Sequence, residues 1–280
     1  MTTILLPVQV MIDGQPVDPQ QAAISVFDWA LLRGDGIFEA IRCYGGRLFQ
    51  LDAHLARLER SAALMHLDLP DLSEVAHWAT AVGEDGHECT VRIVVTRGGD
   101  QPDVDSPSRV VVIWEPVPET TPAVSVRPTS APWHSGGKTW ELVGAKTLSY
   151  APNMSAWRVA RAEGFDDALL ISRDGYVLEG PTFSIGWVAD GNIETPSLDL
   201  GILESITRMV TLEEAEGLGL TVDEGRFTLD RVLEADEVFA LSTLKEVKVV
   251  DRVGTTSFEA GPITGKLAAA YTARVASEAS

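Results

Sequence analysis

Dipeptides that favour tight turns divide this sequence into many short segments, and they constrain its fold more than any other feature. Asp13-Gly14, Asp174-Gly175 and Asp190-Gly191 are of the type that closes β-hairpins, because both residues tolerate a positive φ angle. Short runs of apolar and β-branched residues flank each dipeptide. The sequence therefore predicts strands joined by hairpins in both halves of the chain, the first over residues 8–17 and the second with 176–179 as its return strand.

Helical patterns alternate with these strands. In the predicted strand 37–44, the alternation places Phe38, Ala40 and Arg42 on one face. From Asp52 onward the apolar residues recur every three or four positions, which predicts an amphipathic helix with Asp52 as its N-cap. Further helices are predicted over residues 72–82, 154–163 and 263–276. Another is predicted to follow the stretch 200–208 and to run to about residue 217. The mixture of both patterns indicates an α+β protein.

A polar stretch punctuated by Pro116, Pro118 and Pro122 interrupts the pattern near the middle of the chain. With 280 residues and 45% apolar content, the chain is long enough to form two hydrophobic cores. We therefore expect a small α/β domain over residues 1–117, a linker over 118–122 and a larger domain over 123–280.

The chain is strongly acidic, with 41 acidic against 22 basic residues and a net charge of −19. This charge argues against nucleic acid or an anionic membrane as a partner. No apolar run approaches membrane-spanning length, and the start lacks the basic region of a secretion signal. Two widely spaced cysteines, Cys43 and Cys89, suit a reducing compartment. We expect a cytoplasmic protein without a metal site.

Lysine is scarce, and one lysine lies in an unusual context. Only five of the 22 basic residues are lysines, and Lys146 alone follows small apolar residues and precedes an apolar segment that contains an aromatic residue. A nucleophilic amine needs such a low-dielectric setting, because burial lowers the pKa of a lysine. A surface lysine at a strand-to-helix junction is the alternative on local context alone.

Polar residues near two predicted helices allow two interpretations each. His54 and Arg57 fall on a second face of the helix that begins at Asp52. Such residues are either exposed to solvent or contact a ligand. Ser205 and Thr207 lie at a helix start, where hydroxyls and free N–H groups suit a phosphate but also make ordinary caps.

Six motifs, taken together, resemble one enzyme family over nearly the whole chain. They are Gly34-Asp35-Gly36-Ile37-Phe38-Glu39-Ala40-Ile41-Arg42, His54-x-x-Arg57-Leu58-x-x-Ser61-Ala62, Lys146-Thr147-Leu148, Glu179-Gly180, Ser205-Ile206-Thr207-Arg208 and Ala235-Asp236-Glu237-Val238-Phe239. In order and spacing they resemble the class IV aminotransferases. That family contains branched-chain aminotransferases, D-amino acid transaminases, (R)-selective amine transaminases and aminodeoxychorismate lyases.

The resemblance implies a fold, a cofactor and an assembly. The fold is the two-domain α+β fold type IV, with a small α/β N-terminal domain and a larger C-terminal domain on a β-barrel-like core with flanking helices. The cofactor is pyridoxal 5′-phosphate, and the assembly is a homodimer whose active sites are each bordered by the neighbour's small domain.

The resemblance also implies the roles of individual residues. Lys146 matches the lysine that forms a Schiff base with the cofactor and then moves a proton as a general base. Glu179 matches the carboxylate that pairs with the pyridine nitrogen and keeps the ring protonated. The other cofactor-binding residues implied are Arg57, Ile206, Thr207 and Thr243 at the phosphate and Tyr150 at the phenolic oxygen.

Substrate recognition departs from the pattern of the family. Thr90 stands where branched-chain enzymes carry a tyrosine, and no arginine and histidine follow the Thr96-Arg97-Gly98 turn as in the D-amino acid enzymes. The remaining candidates for the substrate are Phe38, Arg42, Arg92, Arg97, Thr243 and Leu244. Each of the three arginines has a structural ion pair as its alternative role.

The leading hypothesis is a transaminase that exchanges an amino group between an amino acid or primary amine and a 2-oxo acid. An aminodeoxychorismate lyase, which uses the same lysine and releases pyruvate, is the first alternative, and the Arg-Gly-Gly turn after residue 96 favours it. A non-catalytic relative of the fold is the second. Retention of both Lys146 and Glu179 argues against it, because a scaffold needs neither.

Overall fold

The structure is a computed structural model that describes residues 10–83, 86–119 and 121–279. The first predicted hairpin begins at Val8, which lies outside these residues, and its described part is confirmed. Asp13 and Gly14 form the turn with φ angles of 47° and 75°. Positive values at both central positions are those expected of this dipeptide in a two-residue hairpin.

The chain divides into two compact units. The first unit comprises the residues up to Pro118 together with Ala145–Ser149, and the second comprises Glu119–Gly144 and Tyr150–Glu278. Lys146 therefore belongs to the first unit, although the sequence had grouped it with the predicted large domain. The predicted domain limits themselves stay a prediction.

The first unit is built on a six-stranded antiparallel sheet with the strand order β2-β1-β6-β5-β3-β4. In chain order its elements are β1 (Val10–Ile12), β2 (Gln15–Val17), α1 (Trp29–Arg33), β3 (Gly36–Tyr44), β4 (Arg47–Leu48), α2 (Leu51–Leu64), α3 (Leu72–Gly83), β5 (Cys89–Thr96) and β6 (Val110–Pro116). Ile37 and Ile41 of β3 share one buried core with Leu55 and Leu58 of α2. The core thus joins alternate strand residues to one stripe of the helix, as the two periodicities require.

The start of α2 corrects one prediction. The helix begins at Leu51, and its N-cap residue is Gln50 with a φ of 55° and no capping side chain. The prediction of Asp52 as the N-cap is therefore wrong. The chain turns sharply at Gln50, so Asp52 already lies in the first helical turn. There its negative charge interacts favourably with the positive end of the helix dipole.

The two cysteines meet across the sheet although they are far apart in sequence. Cys43 of β3 and Cys89 of β5 are register partners, and both are fully buried. Both are present as thiols, and the Cys43 thiol donates to the Gly83 carbonyl at 3.4 Å. They contribute to the core as small apolar side chains.

The second unit is built on an eight-stranded mixed sheet. Seven strands follow the order β11-β10-β9-β12-β13-β7-β8, and β14 pairs with β13. In chain order the elements are β7 (Ala123–Ser130), α4 (Ala151–Ala162), β8 (Asp167–Ile171), β9 (Ser184–Ala189), β10 (Asn192–Pro196), a 3-10 helix (Leu198–Leu200), α5 (Ile206–Gly217), β11 (Val222–Gly225), α6 (Leu229–Leu233), β12 (Glu237–Ser242), β13 (Glu246–Val253), β14 (Thr256–Ser257) and α7 (Pro262–Ala279). Strand β7 pairs in parallel with both β13 and β8.

Two predicted elements of this unit differ from the structure. Helix α4 starts at Ala151 rather than at residue 154, because Pro152 is accommodated in the first turn, where no intrahelical N–H bond is needed. Residues 176–179 run beside β8 but form only isolated bridges, so the predicted return strand is wrong as a regular strand. Within this segment, Val177 bridges to Ile171 of β8, whereas Tyr176 bridges to Thr228. The segment therefore pairs with two different neighbours and does not form a regular strand with either.

Within the described part of the chain, no helix has the length and apolar character needed to cross a membrane.

Candidate active site

Lys146 is fixed in the first unit by backbone hydrogen bonds on both sides. The Phe38 N–H donates to the Lys146 carbonyl at 3.1 Å, and the Leu148 N–H donates to the Gly36 carbonyl at 2.8 Å. The Lys146 N–H donates to the Ser61 hydroxyl at 3.1 Å. The segment is thus attached to β3 and to α2, so its backbone cannot move without breaking hydrogen bonds to both elements.

The Lys146 amine lies against an aromatic ring. Its Nζ is 4.4 Å from the centroid of the Phe38 ring, and the guanidinium carbon of Arg92 is 5.5 Å from the same centroid. Such distances are those of cation–π contacts. The structure therefore brings together three residues that the sequence predicted separately.

Arg57 lies in a buried ion-pair cluster on α2. Its Nε and Nη2 donate to the two carboxylate oxygens of Glu39 at 2.7 Å and 2.6 Å, and His54 Nδ1 lies 2.8 Å from the same carboxylate. The exposed fractions are 0% for Glu39, 2% for His54 and 4% for Arg57. Both helix residues are therefore buried, and the bidentate pair fixes the plane of the guanidinium group.

The charges of this cluster follow from burial and pairing. Burial raises the pKa of Glu39, but the charge of Arg57 and the hydrogen bonds from Arg57 and His54 outweigh it and lower the pKa from 4.5 to about 2. Burial lowers the pKa of His54, although its bond to Glu39 opposes that shift. His54 is thus neutral and donates its Nδ1–H to an ionised Glu39.

Glu39 was not predicted as a site residue, but the sequence contained a signal for it. Phe38, Ala40 and Arg42 occupy one face of β3, which leaves Glu39 on the opposite face between Ile37 and Ile41. A carboxylate on an apolar strand face must find a cation and hydrogen-bond donors, because an unpaired buried charge is very unfavourable.

Arg97 is occupied by structural contacts. Its Nε donates to Asp35 at 2.8 Å, and its Nη1 and Nη2 donate to the carbonyls of His66 and Met65 at 3.0 Å and 2.6 Å. These carbonyls belong to the end of α2, where the last carbonyl groups have no intrahelical donor. A substrate role for Arg97 stays a prediction.

The other two arginines have different surroundings. Arg42 is 8% exposed and donates to Glu88 at 2.6 Å. Arg92 donates to Glu115 at 3.0 Å, and that pair is partly open to solvent. Arg92 shares the Phe38 ring with Lys146, whereas the Arg42 guanidinium lies over Tyr44 at 5.1 Å.

In the second unit, Glu179 is oriented by a backbone donor. The Leu203 N–H lies 3.2 Å and 3.3 Å from its two carboxylate oxygens, and its side chain is 14% exposed. The Leu170 N–H donates to the Glu179 carbonyl at 2.9 Å and ties the residue to β8. The carboxylate is thus held in one orientation with oxygen lone pairs left for a further donor.

The start of α5 has the features of an anion site. Ser205 is the N-cap residue, and its hydroxyl accepts from the Arg208 N–H at 3.2 Å. The N–H groups of Ile206 and Thr207 have no intrahelical acceptor, because they lie in the first turn. Thr207 is 3% exposed. Its hydroxyl and these N–H groups suit a phosphate.

Thr243 and Leu244 lie in the turn between β12 and β13, and both are half-buried. The turn is fixed by the Lys245 N–H, which donates to the Ser242 hydroxyl at 3.1 Å. The Lys245 amine lies 3.4 Å from Asp167 and attaches the turn to β8.

The donor set fits pyridoxal phosphate. The cofactor needs an amine for its aldehyde carbon, an acceptor for its ring nitrogen and donors for its phosphate. By residue type, the first unit contains such an amine and a guanidinium donor in Lys146 and Arg57, and the second contains such a carboxylate in Glu179 and N–H donors at Ile206 and Thr207. Tyr150, the predicted partner of the phenolic oxygen, lies at the N-cap position of α4 and is half-buried.

Comparisons with known proteins agree on one family. The profile of the family described as "Amino-transferase class IV" matches residues 36–253. A curated relative, the bifunctional aminodeoxychorismate lyase / D-amino acid transaminase of Mycobacterium tuberculosis, is 31% identical over 258 residues and covers 84% of this chain and 87% of its own.

Two solved structures extend the similarity to the fold. A hypothetical aminotransferase from Mycobacterium tuberculosis in its PLP-bound form is 28% identical, with a TM-score of 0.88 over 97% of this chain and 99% of that chain. The branched-chain aminotransferase from the archaeon Thermoproteus uzoniensis, with norvaline, is 30% identical, with a TM-score of 0.86 over 94% and 93%.

The chain belongs to the class IV aminotransferase family. This confirms the predicted two-domain α+β fold of type IV and the predicted class of enzyme, a pyridoxal-phosphate-dependent aminotransferase. It also confirms the cofactor that the resemblance implied, pyridoxal 5′-phosphate.

Proposed function

We propose that this enzyme transfers an amino group between an amino acid or primary amine and a 2-oxo acid, with Lys146 as its catalytic residue. The observation that carries the assignment is the position of the Lys146 amine, 4.4 Å from the Phe38 ring on a backbone attached to both β3 and α2. A fixed backbone and an aromatic wall restrict where the amine can reach, which is what a residue that moves one proton requires.

Two groups of residues would hold the cofactor. Lys146 would hold it covalently through Nζ as a Schiff base, and Glu179 would accept a hydrogen bond from its ring nitrogen. Arg57, with Ile206 and Thr207 at the start of α5, would bind its phosphate. Thr243 would add a hydroxyl at the phosphate and Tyr150 one at the phenolic oxygen, as predicted from the resemblance.

When bound, the cofactor supplies an electron sink that allows the Cα–H bond of the substrate to be broken. Glu179, oriented by the Leu203 N–H, would accept the hydrogen bond of the protonated ring nitrogen. Lys146 Nζ takes up the proton and returns it, because a fixed amine serves both directions of the transfer.

For the substrate carboxylate, we favour Arg92 over the other two arginines. Arg92 and Lys146 contact the same Phe38 ring. Arg97 instead donates hydrogen bonds to the Asp35 carboxylate and to the Met65 carbonyl after α2. Arg42 contacts Tyr44 and Glu88 instead. Leu244 and Thr243 remain candidates for the remainder of the substrate.

A lyase of the aminodeoxychorismate type is the second candidate. The relative from Mycobacterium tuberculosis, which is named as a bifunctional aminodeoxychorismate lyase / D-amino acid transaminase, favours it. Release of pyruvate and 4-aminobenzoate in the absence of an amino acceptor separates the lyase from the transaminase.

The test of the catalytic assignment is the substitution Lys146→Ala, with Lys248→Ala as the matched control. Lys248 is a half-buried lysine of β13 in the second unit. Lys146→Ala is expected to retain a folded protein and to lose multiple turnovers, while Lys248→Ala keeps them. Full multiple-turnover activity of Lys146→Ala contradicts the proposal.

We further propose that the enzyme acts in the cytoplasm as a homodimer. The acidic charge and the presence of only two, widely spaced cysteines support the compartment. The resemblance to class IV aminotransferases supports the dimer.

A further inference from the structure

His134 lies beside Glu179 in the second unit. Its Nε2 is 3.7 Å from Glu179 Oε1, and the two side chains are 12% and 14% exposed. His134 was absent from the predicted site, and the motifs that matched the family do not include it. Whether its Nε2 carries a hydrogen decides whether it can donate to the carboxylate.

The backbone around His134 fixes which ring nitrogen carries the proton. The Gly136 N–H donates to His134 Nδ1 at 3.1 Å, so Nδ1 is an acceptor and carries no hydrogen. In a neutral imidazole the proton must then sit on Nε2, the nitrogen that faces Glu179. The His134 ring therefore offers an N–H donor to the Glu179 carboxylate.

The segment that carries His134 is anchored on both sides, so this orientation is built into the fold. The Ala131 N–H donates to the Ile171 carbonyl at the end of β8, and the Gly137 N–H donates to the Leu200 carbonyl, both at 2.8 Å. The Cβ of Ser172 stands 3.1 Å from where a Cβ on Gly136 would be, which leaves little room for rearrangement.

Other charges in the vicinity line an open groove of about 320 Å³ that also contains His134. They are Lys138, Arg173 and Asp174. The Leu203 N–H and His134 Nε2 both lie beside the Glu179 carboxylate.

We propose that His134 is a positioning residue that donates its Nε2–H to Glu179 and thereby directs this carboxylate at the pyridine nitrogen of bound pyridoxal phosphate. Hydrogen bonds to the charged form of a carboxylate favour that form. The distance of 3.7 Å is long, and catalytic hydrogen bonds of this kind tighten when the ligand binds. The proposal rests on the role given to Glu179 under the proposed function.

The experiment measures the ring nitrogen directly. Apoprotein is loaded with pyridoxal phosphate labelled with 15N in the ring, and the 15N chemical shift is recorded for the wild type and for His134→Asn, His134→Gln and Glu179→Gln. Asparagine keeps an acceptor for the Gly136 N–H but has no donor that reaches Glu179, whereas glutamine extends an N–H₂ group to the position of Nε2. His77→Asn, at an exposed histidine of α3, is the control.

We expect the wild type, His77→Asn and His134→Gln to share the shift of a protonated ring nitrogen. Glu179→Gln is expected to move the shift to the unprotonated value, and His134→Asn to move it part of the way in the same direction. Should His134→Asn fail to fold, His134→Phe carries the same comparison.

A wild-type shift in the His134 variants, together with a changed shift in Glu179→Gln, overturns the inference and leaves the role of Glu179 intact. An unchanged shift in Glu179→Gln removes the assignment of Glu179 and the inference with it. The two failures are therefore distinguishable in a single series of spectra.

Discussion

The Glu39 carboxylate shows how a single residue of the first unit depends on its neighbours. It is completely buried and accepts from Arg57 Nε, Arg57 Nη2 and His54 Nδ1. Removing one partner of a buried ion pair leaves the other charge without compensation, which costs far more than the loss of an exposed pair.

We predict that Glu39→Gln lowers the free energy of unfolding at pH 7 by about 3–5 kcal/mol, because the Arg57 charge would stay buried without a counter-charge. Urea denaturation of the apoprotein measures this. The matched control is Glu115→Gln, which removes a partly exposed partner of Arg92 and should cost less than about 1 kcal/mol. Equal effects of the two substitutions would contradict the account of the cluster.

The same cluster predicts how stability depends on pH. The pKa of Glu39 is lowered from 4.5 to about 2 in the folded state, so its contribution is complete above pH 4.5 and is lost as the pH falls towards 2. A shift of this size corresponds to about 3 kcal/mol. We expect the difference in unfolding free energy between the wild type and Glu39→Gln to be constant from pH 7 to 5 and to shrink below 4.5. A difference that stays constant down to pH 3 would refute this.

Among the elements, β3 was predicted well and the segment that packs on it was not. The alternation of residues 37–44 and the following helical period are local patterns, and both elements are confirmed. The attachment of Lys146-Thr147-Leu148 to β3 joins residues about a hundred positions apart, and local periodicity contains no information about such pairing. The α2 cap was mispredicted because the backbone turns at Gln50, a residue type without a strong preference for positive φ.

The sequence predicted those parts of the candidate site whose residue type points to one chemical role. The amine, the carboxylate and the helix start were assigned from the sequence because their motifs occur together in order, and their roles stay a prediction. The partners Glu39, Ser61, Leu203 and His134 were not assigned. All four contact predicted site residues: Glu39 pairs with Arg57, Ser61 accepts from the Lys146 N–H, and Leu203 and His134 lie beside the Glu179 carboxylate. Such contacts become visible only when the fold is known.

Gly36 of β3 provides a prediction at the scale of this element. A Cβ there would lie 2.6 Å from the Val95 carbonyl oxygen and 2.7 Å from Leu148 Cδ1. Since the first of these atoms is backbone in the paired strand β5, we expect Gly36→Ala to lower the free energy of unfolding by about 1–3 kcal/mol and to reduce cofactor content.

Gly217, at the end of α5, has open space around its Cβ position and serves as the control. Gly217→Ala should leave stability unchanged or raise it by up to about 1 kcal/mol, because alanine favours the helix. Urea denaturation of both variants measures the two free energies of unfolding. A Gly36→Ala protein as stable as the wild type would show that the Lys146 segment tolerates displacement.

At the scale of the whole molecule, the acidic charge bears on the proposed homodimer. A net charge of −19 on a chain of 30.2 kDa keeps copies apart electrostatically, so a specific apolar interface is needed for association. We predict that light scattering in moderate salt gives a mass about twice 30.2 kDa. A stable monomer that retains activity would contradict the proposed homodimer.

The central claim is that this chain carries pyridoxal phosphate on Lys146 and exchanges amino groups with a substrate. The most direct measurement is the visible absorption spectrum of the purified protein, recorded before and after separate additions of D-alanine, L-leucine, L-glutamate and (R)-1-phenylethylamine. We predict a yellow band that at least one donor converts to the colourless amine form of the cofactor, and that is restored by a 2-oxo acid. A band that no donor alters, or no band after addition of pyridoxal phosphate, would contradict the claim.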